Sequence, residues 1–154
     1  MSRFVYRMQN ILNVKEKMEE QAKNDFASAN MRVAEEEEKL KMCYDRRRRL
    51  EDEGRALLLS ERLDILKIDE NKKLVAHADE MIRAQTIQLR MAEKILEEKR
   101  VKMQKAMQER KTQDILKERA FEEFLAEEKA AESKQIDELT SYTHGQKKIN
   151  TDLM

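Results

Sequence analysis

Apolar side chains recur along the first part of the chain at steps of three and four. The positions are Phe4, Met8, Ile11, Lys15, Met18, Ala22, Phe26, Ala29, Val33, Glu36, Leu40 and Tyr44. Ten of these twelve are apolar in a chain that is 40% apolar, where about five would fall there without a pattern. The steps alternate four and three with occasional double fours, which predicts a helix carrying a heptad seam with stutters. A stripe so narrow cannot wrap a globular core. It needs a second helix laid along it.

The second half of the chain supplies that helix. Val75, Ala78, Ile82, Gln85, Leu89, Ala92, Leu96, Lys99, Met103 and Ala106 keep a strict alternation of three and four, and eight of the ten are apolar. The pattern loosens from 107 to 120 and returns at Phe121, Phe124 and Leu125. Two seams in one chain predict an all-α fold: a long antiparallel two-helix coiled-coil hairpin with a short tip segment and a frayed C-terminal tail. Gly54 is the only glycine before residue 145, and glycine commonly follows the end of a helix. Ser60, followed by Glu61 and Asp64, reads as an N-cap. The expected layout is one hairpin over 1–140: helix 1 at about 2–54, a tip at about 55–70 and helix 2 at about 71–140. A flexible tail is expected over 141–154, where the periodicity stops and Gly145 intervenes. A reversal near residues 60–65 brings Phe4 and Tyr6 close to Phe124, and a helix of about 55 residues extends for about 80 Å.

Composition narrows the picture further. The chain has 154 residues, no proline, no tryptophan, two glycines and one cysteine. Turn-rich enzyme domains need Gly, Pro, Asn and Asp in their loops, and that punctuation is nearly missing here. A disulfide scaffold is excluded by the single cysteine. The 32 basic and 32 acidic side chains cancel, which argues against nucleic acid as a main partner. No run of about 18 apolar residues predicts a transmembrane segment, and the N-terminus lacks the pattern of a secretory signal. A free cysteine without a signal fits a reducing, cytoplasmic setting.

Candidate chemistry is sparse. His77, His144 and Cys43 have no metal-ligand spacing, no glycine-rich phosphate loop exists, and neither catalysis nor a cofactor is expected. Cys43 lies beside the first seam, where a small packed side chain is the ordinary outcome. The run Arg46, Arg47, Arg48 and Arg49 resembles a basic zipper, but four consecutive residues point all round a helix and Gly54 interrupts the zipper that would follow. Residues 90–119 carry ten basic and six acidic side chains, and 120–140 carry two and seven, a graded field along the chain. Met81, Ala84, Met91 and Ile95 form a stripe beside the second seam, and Leu63, Ile65, Leu66 and Ile68 cluster near the tip. Either could pack the tip or meet a partner.

The opening Phe4-Val5-Tyr6-Arg7-Met8-Gln9-Asn10-Ile11-Leu12, followed by Lys15-Glu16-Lys17, resembles the start of FliJ proteins of the bacterial flagellar export apparatus. Glu37-Glu38-Lys39-Leu40-Lys41-Met42 is similar to their mid-helix segment, and Glu132-Ser133-Lys134-Gln135-Ile136-Asp137-Glu138 to their Glu-x-Lys-x-x-Asp-Glu signature. The resemblance covers roughly residues 1–140. It implies a non-catalytic central stalk of the type III export ATPase, serving flagellum assembly and motility. By that likeness, residues 4–18 and 121–139 would enter the ATPase ring, with Phe4, Met8, Ile11, Phe121 and Phe124 as contacts. The tip and middle would face the export gate, a membrane protein with a cytoplasmic domain, through Lys39, Leu40, Cys43 and Leu74. Arg46 stands where some members carry an aromatic residue. The resemblance further implies export chaperones as partners, a single copy within the complex, and a cytoplasmic place at the inner face of the membrane. Two other readings fit the same residues: a stalk of a virulence-type secretion system, and a purely structural coiled coil that dimerises through its methionine stripe.

Overall fold

The computed structural model describes residues 2–152. Two helices account for nearly all of them: α1 (Gln9–Leu59), of 51 residues, and α2 (Ile65–Asp152), of 88. They form the antiparallel coiled-coil hairpin expected from the two seams, and no strand occurs among the described residues. The chain divides into two compact units. One is central, Glu19–Ala106; the other joins the chain's ends, up to Met18 and from Met107.

In the central unit the seam of α1 runs through the covered positions Glu19, Ala22, Phe26, Ala29, Val33, Glu36, Leu40, Cys43, Arg47, Leu50, Gly54 and Leu57. They alternate three and four without a stutter. The facing positions of α2 include Ile68, Asn71, Val75, Ala78, Ile82, Gln85, Leu89, Ala92, Leu96, Lys99, Met103 and Ala106. The stutters expected in α1 are absent because polar groups occupy the seam at Glu19 and Arg47. A path drawn through apolar residues alone steps off it to Met18 and Tyr44, which are exposed.

The reversal is shorter than the expected tip and lies within it. Helix α1 runs through Gly54 to Leu59, and residues 60–64 make the whole turn. Gly54 does not end the helix, since no glycine adopts a positive φ. Nor does Ser60 cap the next one. The Asp64 carboxylate accepts from the Lys67 backbone N–H at 3.2 Å, and the Asp64 carbonyl accepts from Ile68 at 3.0 Å, so Asp64 is the N-cap of α2.

The terminal unit also departs from the expected seam. Tyr6 and Leu12 are buried, whereas Met8 and Ile11 are exposed. The preceding residues are not helical; the first helical amide, Gln9 N–H, donates to the Tyr6 carbonyl at 3.1 Å. On α2 the covered face continues through Arg110, Gln113, Lys117, Ala120 and Phe124, so the seam persists where its apolar signal fades. Of the tail expected to be flexible over 141–154, the segment 141–152 is helical and exposed; residues 153 and 154 lie outside the described residues. Gly145 sits in this helix, and a β-carbon built on it would meet nothing within 4 Å beyond the backbone of its own helix.

Candidate partner-binding sites

The terminal unit gathers three of the aromatic residues expected to contact a partner. Phe4, in the non-helical segment before α1, packs edge-on against Phe121 with ring centroids 5.1 Å apart and planes at 67°. Its centroid is 5.4 Å from that of Phe124. Such offset and edge-on contacts are the favoured geometry for aromatic pairs. Polar contacts fix the register beneath them. The Tyr6 hydroxyl donates to Gln113 Oε1 at 3.0 Å, the Lys15 ammonium meets Glu109 at 3.0 Å, and Ser2 donates to Glu128. Phe124 is half-buried in the cluster, while Phe121 keeps 42% of its surface exposed. Met8, just before α1, and Ile11, in its first turn, remain 37% and 42% exposed, available to another protein.

The residues expected at the middle of the hairpin scatter more. Leu40 lines a shallow groove with Tyr44 and Leu89, edged by Lys41, Arg48 and Asp45. Cys43 is half-buried one turn along the seam. Lys39 is exposed and lies 3.6 Å from Glu36. Leu74 is on α2 and does not line the groove. Tyr44 was not among the expected contacts. Its sequence spacing placed it in the seam, and only the true seam, through Cys43, turns it outward into the groove.

One turn before Leu40 the seam of α1 holds a buried charge. Glu36 is 2% exposed, and Arg32 and Lys39 on its own helix approach it at 3.0 and 3.6 Å. Gln85 Nε2 from α2 donates to its carboxylate and, at 3.2 Å, to its backbone carbonyl. That hydrogen bond, with the charges of Lys39 and Arg32, outweighs desolvation and lowers the Glu36 pKa below the ordinary glutamate value. Closer to the tip, Arg47 bridges the helices to Asp79 and also meets Glu51 at 2.6 Å. Its pKa is raised chiefly by the Asp79 hydrogen bond. These groups are bonded pairwise as structural ties. No group of three His, Cys, Asp or Glu side chains among the described residues could hold a metal ion, and no helix is long and apolar enough to cross a membrane.

Long paired helices, an aromatic clasp at the chain's ends and polar ties between the helices define a coiled-coil interaction protein. The chain belongs to the flagellar FliJ protein family, whose model matches residues 4–148. That makes it a protein of the type III export apparatus, in a family of non-catalytic export components. Among solved structures, a chain described as a YscO homologue, CT670 of Chlamydia trachomatis, is similar with a TM-score of 0.77 and 21% identity. The match covers 95% of this chain and 98% of that one, and shows a shared fold. A search of curated proteins found no match.

Proposed function

We propose that this chain is the stalk that couples the flagellar export ATPase ring to the export gate, and that it escorts export chaperones. The observation that best supports this reading is the aromatic clasp. Phe4 ties the N-terminal segment to Phe121 and Phe124 of α2, so the two segments form one unit that can enter a ring together. Met8, Ile11 and the exposed part of Phe121 supply apolar contacts to the ring. The groove of Leu40, Tyr44 and Leu89, with Lys39, Cys43 and Leu74 on the same unit, faces the cytoplasmic domain of the gate. A coupling element needs long helices and contacts near both ends, and no chemistry of its own. In this reading one copy acts in the complex, in the cytoplasm at the inner face of the membrane.

The test is stimulation of the cognate ATPase by Met8→Ser/Ile11→Ser. Both positions are exposed, so the helices stay intact by circular dichroism. Stimulation should fall severalfold. A variant that stimulates like the parent sinks the ring contact. Independently, Leu40→Glu should weaken binding to the gate's cytoplasmic domain and leave ATPase stimulation in place.

A further inference from the structure

The start of α1 is not set by the residues around it. Met8 stands at the N-cap, since its carbonyl accepts the first helical bond, from Leu12 N–H at 3.1 Å. Methionine is a poor cap, and no acidic residue lies in the first turn. Ser2, a favoured cap, lies further upstream, and no glycine or proline interrupts residues 2–12. The seam points upstream as well. Its positions Glu19, Lys15 and Leu12 step by four and three, and the next steps fall on Met8 and Val5. Both are apolar, yet they are 37% and 77% exposed. Local chemistry favours a longer helix with both side chains in the seam. A contact from outside the segment must hold it unwound.

Tyr6 makes that contact. It is the one buried residue of 2–8, at 8% exposure. Its hydroxyl donates to Gln113 Oε1 of α2 at 3.0 Å, and its carbonyl accepts from Gln9 N–H at 3.1 Å. In a continued helix that amide would donate to Val5 instead. One residue therefore docks the segment on α2 and closes the turn at which α1 begins. Phe4 meets Phe121 and Phe124 further along α2 and is only half-buried. We propose that Tyr6 is the positioning residue of this part of the chain: docked on α2, it keeps residues 2–8 unwound and Met8 turned out of the seam. When the phenol is removed, the segment winds onto α1, and Met8 and Val5 enter the seam. This holds for the free chain. Its consequence for the ATPase ring rests on the stalk reading, in which Met8 is a contact.

Hydrogen exchange and methionine oxidation of the full chain, both followed by mass spectrometry, test the proposal. In Tyr6→Ala, amide exchange over residues 4–8 should slow. Oxidation of Met8 by hydrogen peroxide should slow severalfold against that of exposed Met18. Tyr6→Phe keeps the packed ring and should behave as the parent, and Phe4→Ala should leave Met8 as reactive as before. Circular dichroism confirms that the two helices stay folded. Faster exchange over residues 4–8 in Tyr6→Ala overturns the proposal, because the segment then merely loosens. Unchanged Met8 oxidation overturns it too, as does an equal slowing in Phe4→Ala. With the cognate ATPase, Tyr6→Ala should lose stimulation severalfold and Tyr6→Phe should keep it. Winding with stimulation intact sinks Met8 as a ring contact and leaves the role of Tyr6 standing, so the two readings fail separately.

Discussion

Asn71 occupies the space that a side chain at position 54 would fill. A β-carbon built on Gly54 would come 2.5 Å from Asn71 Oδ1, while Asn71 Nδ2 donates to the Leu50 carbonyl across the helix pair at 2.9 Å. The glycine is therefore a point of close approach inside a continuous helix.

That contact sets up a double-mutant cycle. Glycine inside a helix costs about 1 kcal/mol against alanine, and a neutral hydrogen bond contributes about 1 kcal/mol. Gly54→Ala alone should change stability little, because the helix gain is offset by displacement of Asn71. Asn71→Ala alone should lose about 1 kcal/mol. In the Asn71→Ala background, Gly54→Ala should stabilise by about 1 kcal/mol, seen as a higher urea midpoint at constant slope. Additive effects would show that the two residues are not coupled.

The same glycine shows where reading the sequence succeeded and where it could not. The hairpin and the α2 seam from 75 to 106 were legible, because eight of the ten seam positions are apolar and the alternation of steps never breaks. The meeting of Phe4 with Phe124 followed from the position of the reversal. The end of the first helix was placed too early, at Gly54, because a lone glycine reads alike as a helix stop or as a close contact, and only the facing Asn71 decides. Buried Glu36 was placed on the seam by its spacing alone. Glu19 and Arg47 broke the apolar pattern instead, so their true positions, and with them the outward face of Tyr44, needed the structure.

The shift of the N-terminal seam separates two neighbours. Leu12 is 2% exposed, while Ile11 beside it is 42% exposed. Leu12→Ala should cost about 2–5 kcal/mol through lost burial and the cavity left behind. Ile11→Ala, a surface change, should stay within about 0.5 kcal/mol. Urea unfolding of the two variants checks this, and equal losses would contradict the placement of the seam.

Gly145 gives a different expectation from Gly54, since no atom outside its own helix lies within 4 Å of where its β-carbon would be. Alanine there meets no clash and gains up to about 1 kcal/mol of local helix propensity. Helical ellipticity at 222 nm should rise slightly, and hydrogen exchange of residues 141–152 should slow. Global stability should not change, because every residue from 129 onwards is exposed along the described helix. A shifted unfolding midpoint would mean that this segment packs against something in solution.

Glu36 makes stability depend on pH in a known direction. Its folded pKa lies below the ordinary value because Gln85 donates to the carboxylate, assisted by Lys39 and Arg32 against the penalty of burial. A lowered folded pKa means that the unfolded chain binds the proton more readily. The contribution is therefore fully present above the ordinary glutamate pKa, and it is lost as pH falls through the folded one. Glu36→Gln removes this titration. The parent should be more stable than the variant at neutral pH, with the gap closing under acid conditions as the carboxylate protonates. In Gln85→Leu the largest cause of the shift is gone and burial is left opposed only by the two cations, so the pH-dependent part of the gap should shrink. Urea midpoints measured across the acid range for parent and variants decide the matter. A gap between parent and Glu36→Gln that stays constant with pH would show that Glu36 titrates alike in the folded and unfolded chain, and that Gln85 does not hold it charged.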